Sequence, residues 1–233
     1  MFKKYWKFFV IFWSVVLVGI IGVFVFFWLI SAGKLGFMPT FEELENPNNR
    51  FASEVYFADG PIMNRYFEKE NRKYIEYREI PQSVIDALIA TEDVRFYDHS
   101  GVDVRGLFRV AKGLLTANTS AGGGSTISQQ LAKMLFPRES DLNVFELAIR
   151  KFREWVIAVR LEKSYTKEEI LTMYLNKYDF LNLAVGISSA ADIYFQVPLD
   201  SLKVEQAAML IGMAKNSSYL SLIHISEPTR HSL

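Results

Sequence analysis

The hydrophobic pattern of the chain changes character twice. Residues 8–30 are an uncharged run of Phe, Val, Ile, Leu, Trp and Gly, broken only by Ser14. At 1.5 Å per helical residue the run spans about 35 Å, enough to cross a bilayer core of about 30 Å. Residues 39–50 are polar and punctuated by Pro and Asn, with Thr40 as the cap of a short helical turn. Residues 51–57 and 62–67 alternate around the turn signal Asp59-Gly60, which predicts a small β-hairpin, a pedestal beside the membrane.

From Pro81 onward the apolar residues recur at helical spacing. A first helix presents Val84, Ile85, Leu88 and Ile89, and a second, over 102–115, presents Val104, Leu107, Phe108, Ala111 and Leu115. A Ser/Thr/Asn/Gly loop over 116–124 leads into a third helix with Ile127, Leu131, Met134 and Leu135 on its buried stripe. Asp141 is the expected cap of a long helix to about residue 163, with the stripe Phe145, Ala148, Ile149, Phe152, Trp155, Val156 and Val159. Thr166 with Glu169 is a capping box for the next helix. Further helices follow over 185–195 and 202–215, making an all-α domain of about seven helices.

Charge and composition add direction. The 233 residues carry 26 basic and 26 acidic side chains, a net charge of zero, so nothing draws the chain to nucleic acid. The absence of Cys excludes disulfides and thiolate chemistry. Lys3, Lys4 and Lys7 precede the apolar run and only Lys34 follows closely. The positive-inside rule therefore keeps the N-terminus in the cytoplasm and puts the rest outside. Trp6, Trp28 and Phe37 suit the two interfaces. The run is longer than a signal-peptide core, so an uncleaved anchor is expected, although Ser31-Ala32-Gly33 would permit cleavage. The chain divides into a cytoplasmic 1–7, a transmembrane 8–30, a membrane-proximal 31–80, a helical domain 81–220 and a tail 221–233.

Glu92 is the first candidate for chemistry. It lies seven residues after Ile85 and four after Leu88, so it continues an apolar stripe. A carboxylate there is costly unless paired or functional, and partial burial favours the proton-accepting role of a general base. The alternative is a helix-end acid bonded to a nearby Arg. The Gly122-Gly123-Gly124 loop running into Ser125 is a candidate anion site, since helix N-termini favour phosphate. An ordinary cap is the alternative, and the Gly-Lys-Ser/Thr of a nucleotide loop is missing. Ser125, Gln129 and Lys133, spaced by four, form a polar line. The long helix gathers Arg150, Lys151 and Arg153 around Glu154, an arrangement suited to an anionic ligand or simply a solvated face. His99 has no second His or Cys at metal-ligand spacing and reads as structural.

Together these segments resemble the family 51 glycosyltransferases, the peptidoglycan transglycosylase domains of class A penicillin-binding proteins. Glu92-Asp93, Phe96, His99 and Gly101 match the first motif of that family. Gly123-Gly124-Ser125-Thr126-Ile127-Ser128-Gln129-Gln130 through Lys133 matches the second, with Ser128 where Thr is usual. Arg150-Lys151-Phe152-Arg153-Glu154, continuing to Leu161-Glu162, matches the third. Residues 167–176 match the fourth, and Glu205-Gln206-Ala207-Ala208-Met209-Leu210 with Tyr219 the fifth. Thr172 stands where Glu is frequent, Leu181 and Asn182 replace a glycine turn, and the tail 221–233 does not resemble the linker that follows in the family. No transpeptidase serine motif is present in this sequence.

The resemblance implies a lysozyme-like helical fold behind one transmembrane helix, in the bacterial inner membrane, with the domain on the periplasmic side. It implies lipid II and a growing glycan chain as substrates. Glu92 would be the base, and Glu154, the second catalytic residue, would orient the cations or a bound divalent metal and hold the donor. Ser125, Gln129, Lys133, Arg150 and Lys151 would bind the pyrophosphate. Asp93, Phe96, His99, Gly101, Gly123, Gly124, Thr126 and Gln130 would support the site. No metal is assigned, and a divalent ion (Mg or Mn) near the pyrophosphate is left open; the bilayer and other cell-wall proteins are the expected partners. Two rivals stand beside this reading: a lysozyme-like glycan hydrolase, and an inactive membrane scaffold of the cell-wall machinery.

Overall fold

The computed structural model describes residues 2–36, 38–39, 53–56, 62–66, 73–116, 123–135 and 143–215. Helix α1 (Phe2–Ser31) contains the stretch Trp6–Ser31, 26 residues long and apolar enough to cross a membrane. Strands β1 (Ser53–Tyr56) and β2 (Ile62–Tyr66) pair antiparallel with an irregularity after Val55. The turn between them, the Thr40 cap, Asp141 and the tail 221–233 lie outside the described residues.

Seven helices follow among the described residues: α2 (Gln82–Glu92), α3 (Val104–Leu115), α4 (Ile127–Leu135), α5 (Val144–Ser164), α6 (Lys167–Lys177), α7 (Ile187–Phe195) and α8 (Val204–Lys215). The all-α expectation for this region therefore holds. Helix α4 is the centre of the domain, packed between α5 and α6, while α2 lies along α8. Its Ile127 and Leu131 are fully buried, together with Val84 and Leu88 of α2, Ile170, Leu171 and Tyr174 of α6, and Leu210 and Ile211 of α8. Each such side chain contributes about 1.5–3 kcal/mol relative to exposure.

The helix ends follow their local chemistry, with corrections. Helix α5 is capped by Asn143, whose side chain accepts from the Glu146 N–H while Glu146 returns to the Asn143 N–H, so the capping box begins two residues after Asp141. The Thr166–Glu169 box at the start of α6 is as expected. The buried face of α5 is Glu154, Ile157, Ala158 and Leu161. The aromatic stripe expected to face the core instead packs in part on α1: the Phe152 ring meets Phe26 at 5.4 Å and Phe27 at 5.7 Å, edge to face. Its first aromatic, Phe145, is 70% exposed.

Long-range polar clamps tie the chain together. The Asn176 side chain accepts from the Ile75 N–H at 3.0 Å and donates to the Ile75 carbonyl at 2.9 Å, so it acts as a strand partner for residues 73–76. Lys167 donates to the His99 carbonyl at 2.6 Å, pairs with Glu162 at 2.7 Å and lies 4.3 Å above the Phe96 ring. Thr172, where the resemblance has Glu, donates to the Glu168 carbonyl at 2.8 Å and is buried. The turn lacking the usual glycine holds Leu181, Asn182 and Leu183 at φ of 68°, 50° and 67°.

Candidate active site

Helix α2 ends on Glu92, where Asp93 caps it by donating its N–H to the Ile89 carbonyl. Glu92 opens into a cavity of about 640 Å³. One of its oxygens, Oε2, accepts from Gln130 Nε2 at 2.6 Å, and Gln130 Oε1 accepts from the Tyr174 hydroxyl at 3.1 Å. The amide of Gln130 is thereby oriented by both neighbours. Burial, then the Glu92 charge, pushes the Tyr174 hydroxyl well above its ordinary range, so it stays a neutral donor. The other oxygen, Glu92 Oε1, is buried without a hydrogen-bond partner among the described residues. One lone pair of the carboxylate is thus left to take a proton.

Asp93 serves the frame. Its Oδ2 accepts from His99 Nε2 at 2.9 Å and from the Ile127 N–H at 3.1 Å. His99 Nδ1 accepts from the Gly101 N–H at 3.3 Å, which assigns the ring proton to Nε2. Gly101 has φ +94°, and a Cβ there would lie 2.8 Å from the backbone of Ala158 and Val159, so only glycine lets α5 approach. The Gly101 carbonyl accepts from Thr126 Oγ1 at 2.6 Å and from Gln129 Nε2 at 3.3 Å. Thr126 Oγ1 also accepts from the Gln129 N–H at 3.2 Å, so Thr126 caps α4.

This corrects two expectations. The N-terminus of α4 is occupied by Asp93 and Thr126 and is no free anion site. Gln129 is only 1% exposed and holds Gly101, so it belongs to the frame rather than to a substrate wall. Gln130, expected as support, is the residue that touches Glu92 and lines the cavity.

Ser125, Gly123, Gly124 and Thr126 form one wall. Ser125 Oγ accepts from Lys151 Nζ at 2.9 Å, and Lys151 pairs with Glu154 at 2.8 Å. The buried Glu154 therefore holds Lys151 against Ser125, behind the cavity wall rather than in its lining. Arg150 and Lys133 do not line the cavity. Its cations are Arg95, Arg109, Lys112 and Lys215. Arg95 is paired with Asp103, and Lys215 donates to the Thr91 carbonyl at 2.9 Å. Arg109 and Lys112, at i,i+3 on α3, make no ion pair among the described residues, and that spacing was the signal available for them in the sequence. Lys215 arrives only through the packing of α8 on α2, which no local pattern announces.

Glu154 is engaged by Lys151, and no group of three or more His, Asp or Glu converges among the described residues. No step below is routed through a metal.

Comparison with known proteins places this geometry. The family model for transglycosylase matches residues 59–231, so the match begins before residue 81 and reaches into the tail. The chain is 37% identical over 181 residues to penicillin-binding protein 1A of Escherichia coli strain K12, covering 78% of this chain and 21% of that protein. It is 37% identical over 194 residues to penicillin-binding protein 1A of Pseudomonas aeruginosa, covering 83% of this chain and 22% of that protein. The corresponding protein of Neisseria lactamica is 36% identical over 181 residues, 78% of this chain and 22% of its own length. The chain thus spans about a fifth of the relatives it matches. A match over most of the chain, with the half-buried Glu92 lining a cavity that also holds Arg95, Arg109, Lys112 and Lys215, makes it a member of the transglycosylase family.

Proposed function

We propose that the chain is a peptidoglycan glycosyltransferase that polymerises lipid II into glycan strands. The observation that carries this is the half-partnered carboxylate of Glu92 in a cavity walled by cations. The Glu92 carboxylate takes the proton from the 4-hydroxyl of the acceptor sugar. The freed oxygen forms a bond to the donor's anomeric carbon as that carbon's bond to the lipid pyrophosphate breaks. A single displacement inverts α to β. Lys151, held by Glu154 against Ser125, and Arg109 and Lys112 across the cavity offset the charge that develops on the leaving pyrophosphate. A hydrolase of finished glycan has no such charge to neutralise, and the cations favour the transferase over the lysozyme-like rival.

The same reading places the domain outside the bacterial cytoplasmic membrane, beside a substrate that never leaves the bilayer. Incubating the full chain with lipid II should yield polymeric glycan. Glu92→Gln should lower the rate by about 10²–10⁴-fold with helicity intact. Muropeptide release from finished peptidoglycan, without polymer from lipid II, would overturn the proposal, as would near-normal activity of the Gln variant.

A further inference from the structure

A short line of side chains runs from Glu92 into the core. The Glu92 carboxylate has one hydrogen-bond partner among the described residues, Gln130 Nε2 at 2.6 Å. The other end of the same amide, Gln130 Oε1, accepts from the Tyr174 hydroxyl at 3.1 Å. Tyr174 is fully buried, and Gln130 is the one partner of its hydroxyl among the described residues. The Tyr174 ring is braced from behind. Tyr178, which ends α6, stacks on it with ring centroids 5.6 Å apart and planes 26° apart. The Tyr178 hydroxyl in turn donates to the Ala214 carbonyl of α8 at 2.7 Å.

Turning an amide end for end hardly changes its shape, so its orientation is set by what its two ends meet. While Glu92 is a carboxylate it only accepts, and the amide must offer it nitrogen. Once Glu92 has taken a proton that demand lapses, because a carboxylic acid can donate to the oxygen of a turned amide. Such a bond would hold the proton on Glu92. Tyr174 opposes the turn. The turned amide would present nitrogen to the Tyr174 hydroxyl, whose hydrogen would then lie in the core without an acceptor among the described residues, a costly condition.

We propose that Tyr174 is a positioning residue for the transfer reaction: it keeps Gln130 donating to Glu92 after the proton has been taken, so that the proton passes on to water and the base is restored. This rests on Glu92 being the base. Tyr174 does not line the cavity, so it acts through Gln130 and not on the substrate.

The full chain and its variants would be assayed with lipid II, kcat and KM being read separately, with a thermal melt of each. Tyr174→Phe removes only the hydroxyl. It should lower kcat about tenfold and leave KM within about twofold. Gln130→Ala should lower kcat at least as far, and adding Tyr174→Phe to Gln130→Ala should lower it no further. Gln130→Asn keeps an amide that is one methylene too short to meet both neighbours, so its kcat should fall with that of Gln130→Ala. This variant leaves the buried ring in place and decides the matter even where Tyr174→Phe unfolds. Losses that multiply in the double variant, or near-normal kcat in Tyr174→Phe or Gln130→Asn, would overturn the proposal. No polymer from the unaltered chain would instead remove the reading of Glu92 on which it rests.

Discussion

At the scale of single residues, the site is built from carboxylates with opposite fates. Glu92 keeps an unpartnered oxygen, whereas Asp93 is consumed by His99 and the Ile127 N–H. Asp103 is consumed too. Burial alone would raise its pKa, but hydrogen bonds from Arg95 and the Gly106 N–H outweigh this and hold it below the ordinary 3.8. A depressed folded pKa contributes stability above the unfolded value, and that stability is lost as pH falls from about 4 through the lowered folded value. Asp103→Asn should therefore destabilise the protein by about 1–3 kcal/mol at pH 7. The gap should narrow at pH 3, and denaturant midpoints at the two pH values test this. Glu92 was legible in the sequence because a carboxylate interrupted an apolar stripe. The exchange of roles between Gln129 and Gln130 was not, because adjacent residues differ by about 100° around a helix and only packing decides which faces Glu92.

Among the elements, capping chemistry was readable where side chain and backbone lie within one turn, as at Thr166–Glu169. Helix α5 was harder, because periodicity reports that a stripe is apolar without reporting what covers it. Its core face includes Glu154, a residue no hydrophobic pattern would select. The turn over 181–183 carries strain that the sequence signalled only as a missing glycine. Left-handed backbone costs a non-glycine residue about 1–2 kcal/mol, more than the 0.4–1 kcal/mol or so that glycine adds in unfolded-chain entropy. Leu183 is 59% exposed and loses little packing. Leu183→Gly should raise stability by up to about 1 kcal/mol, or about 2–4 °C in Tm, in a thermal melt. A fall in Tm would count against strain at this turn.

Across the whole molecule, α5 connects the anchor to the site: Arg160 holds the end of α1, and Lys151 and Glu154 face Ser125. Removing the guanidinium leaves the Ser31 and Pro39 carbonyls without their donor. Arg160→Ala should speed amide exchange in residues 28–36 about tenfold, the equivalent of about 1.4 kcal/mol of local stability, with α6 unchanged. Equal acceleration in both would indicate general unfolding and not a local clamp.

The Asn176 clamp has a consequence in time. Ile75 meets its partner at a sequence separation of 101. While the chain is being made, residues 73–76 remain untied until α6 has been synthesised and folded. The segment leading into the domain is therefore among the last to be secured, and a chain stopped before residue 176 would contain the residues of α2 to α5 yet lack the amide that closes the domain at its entry.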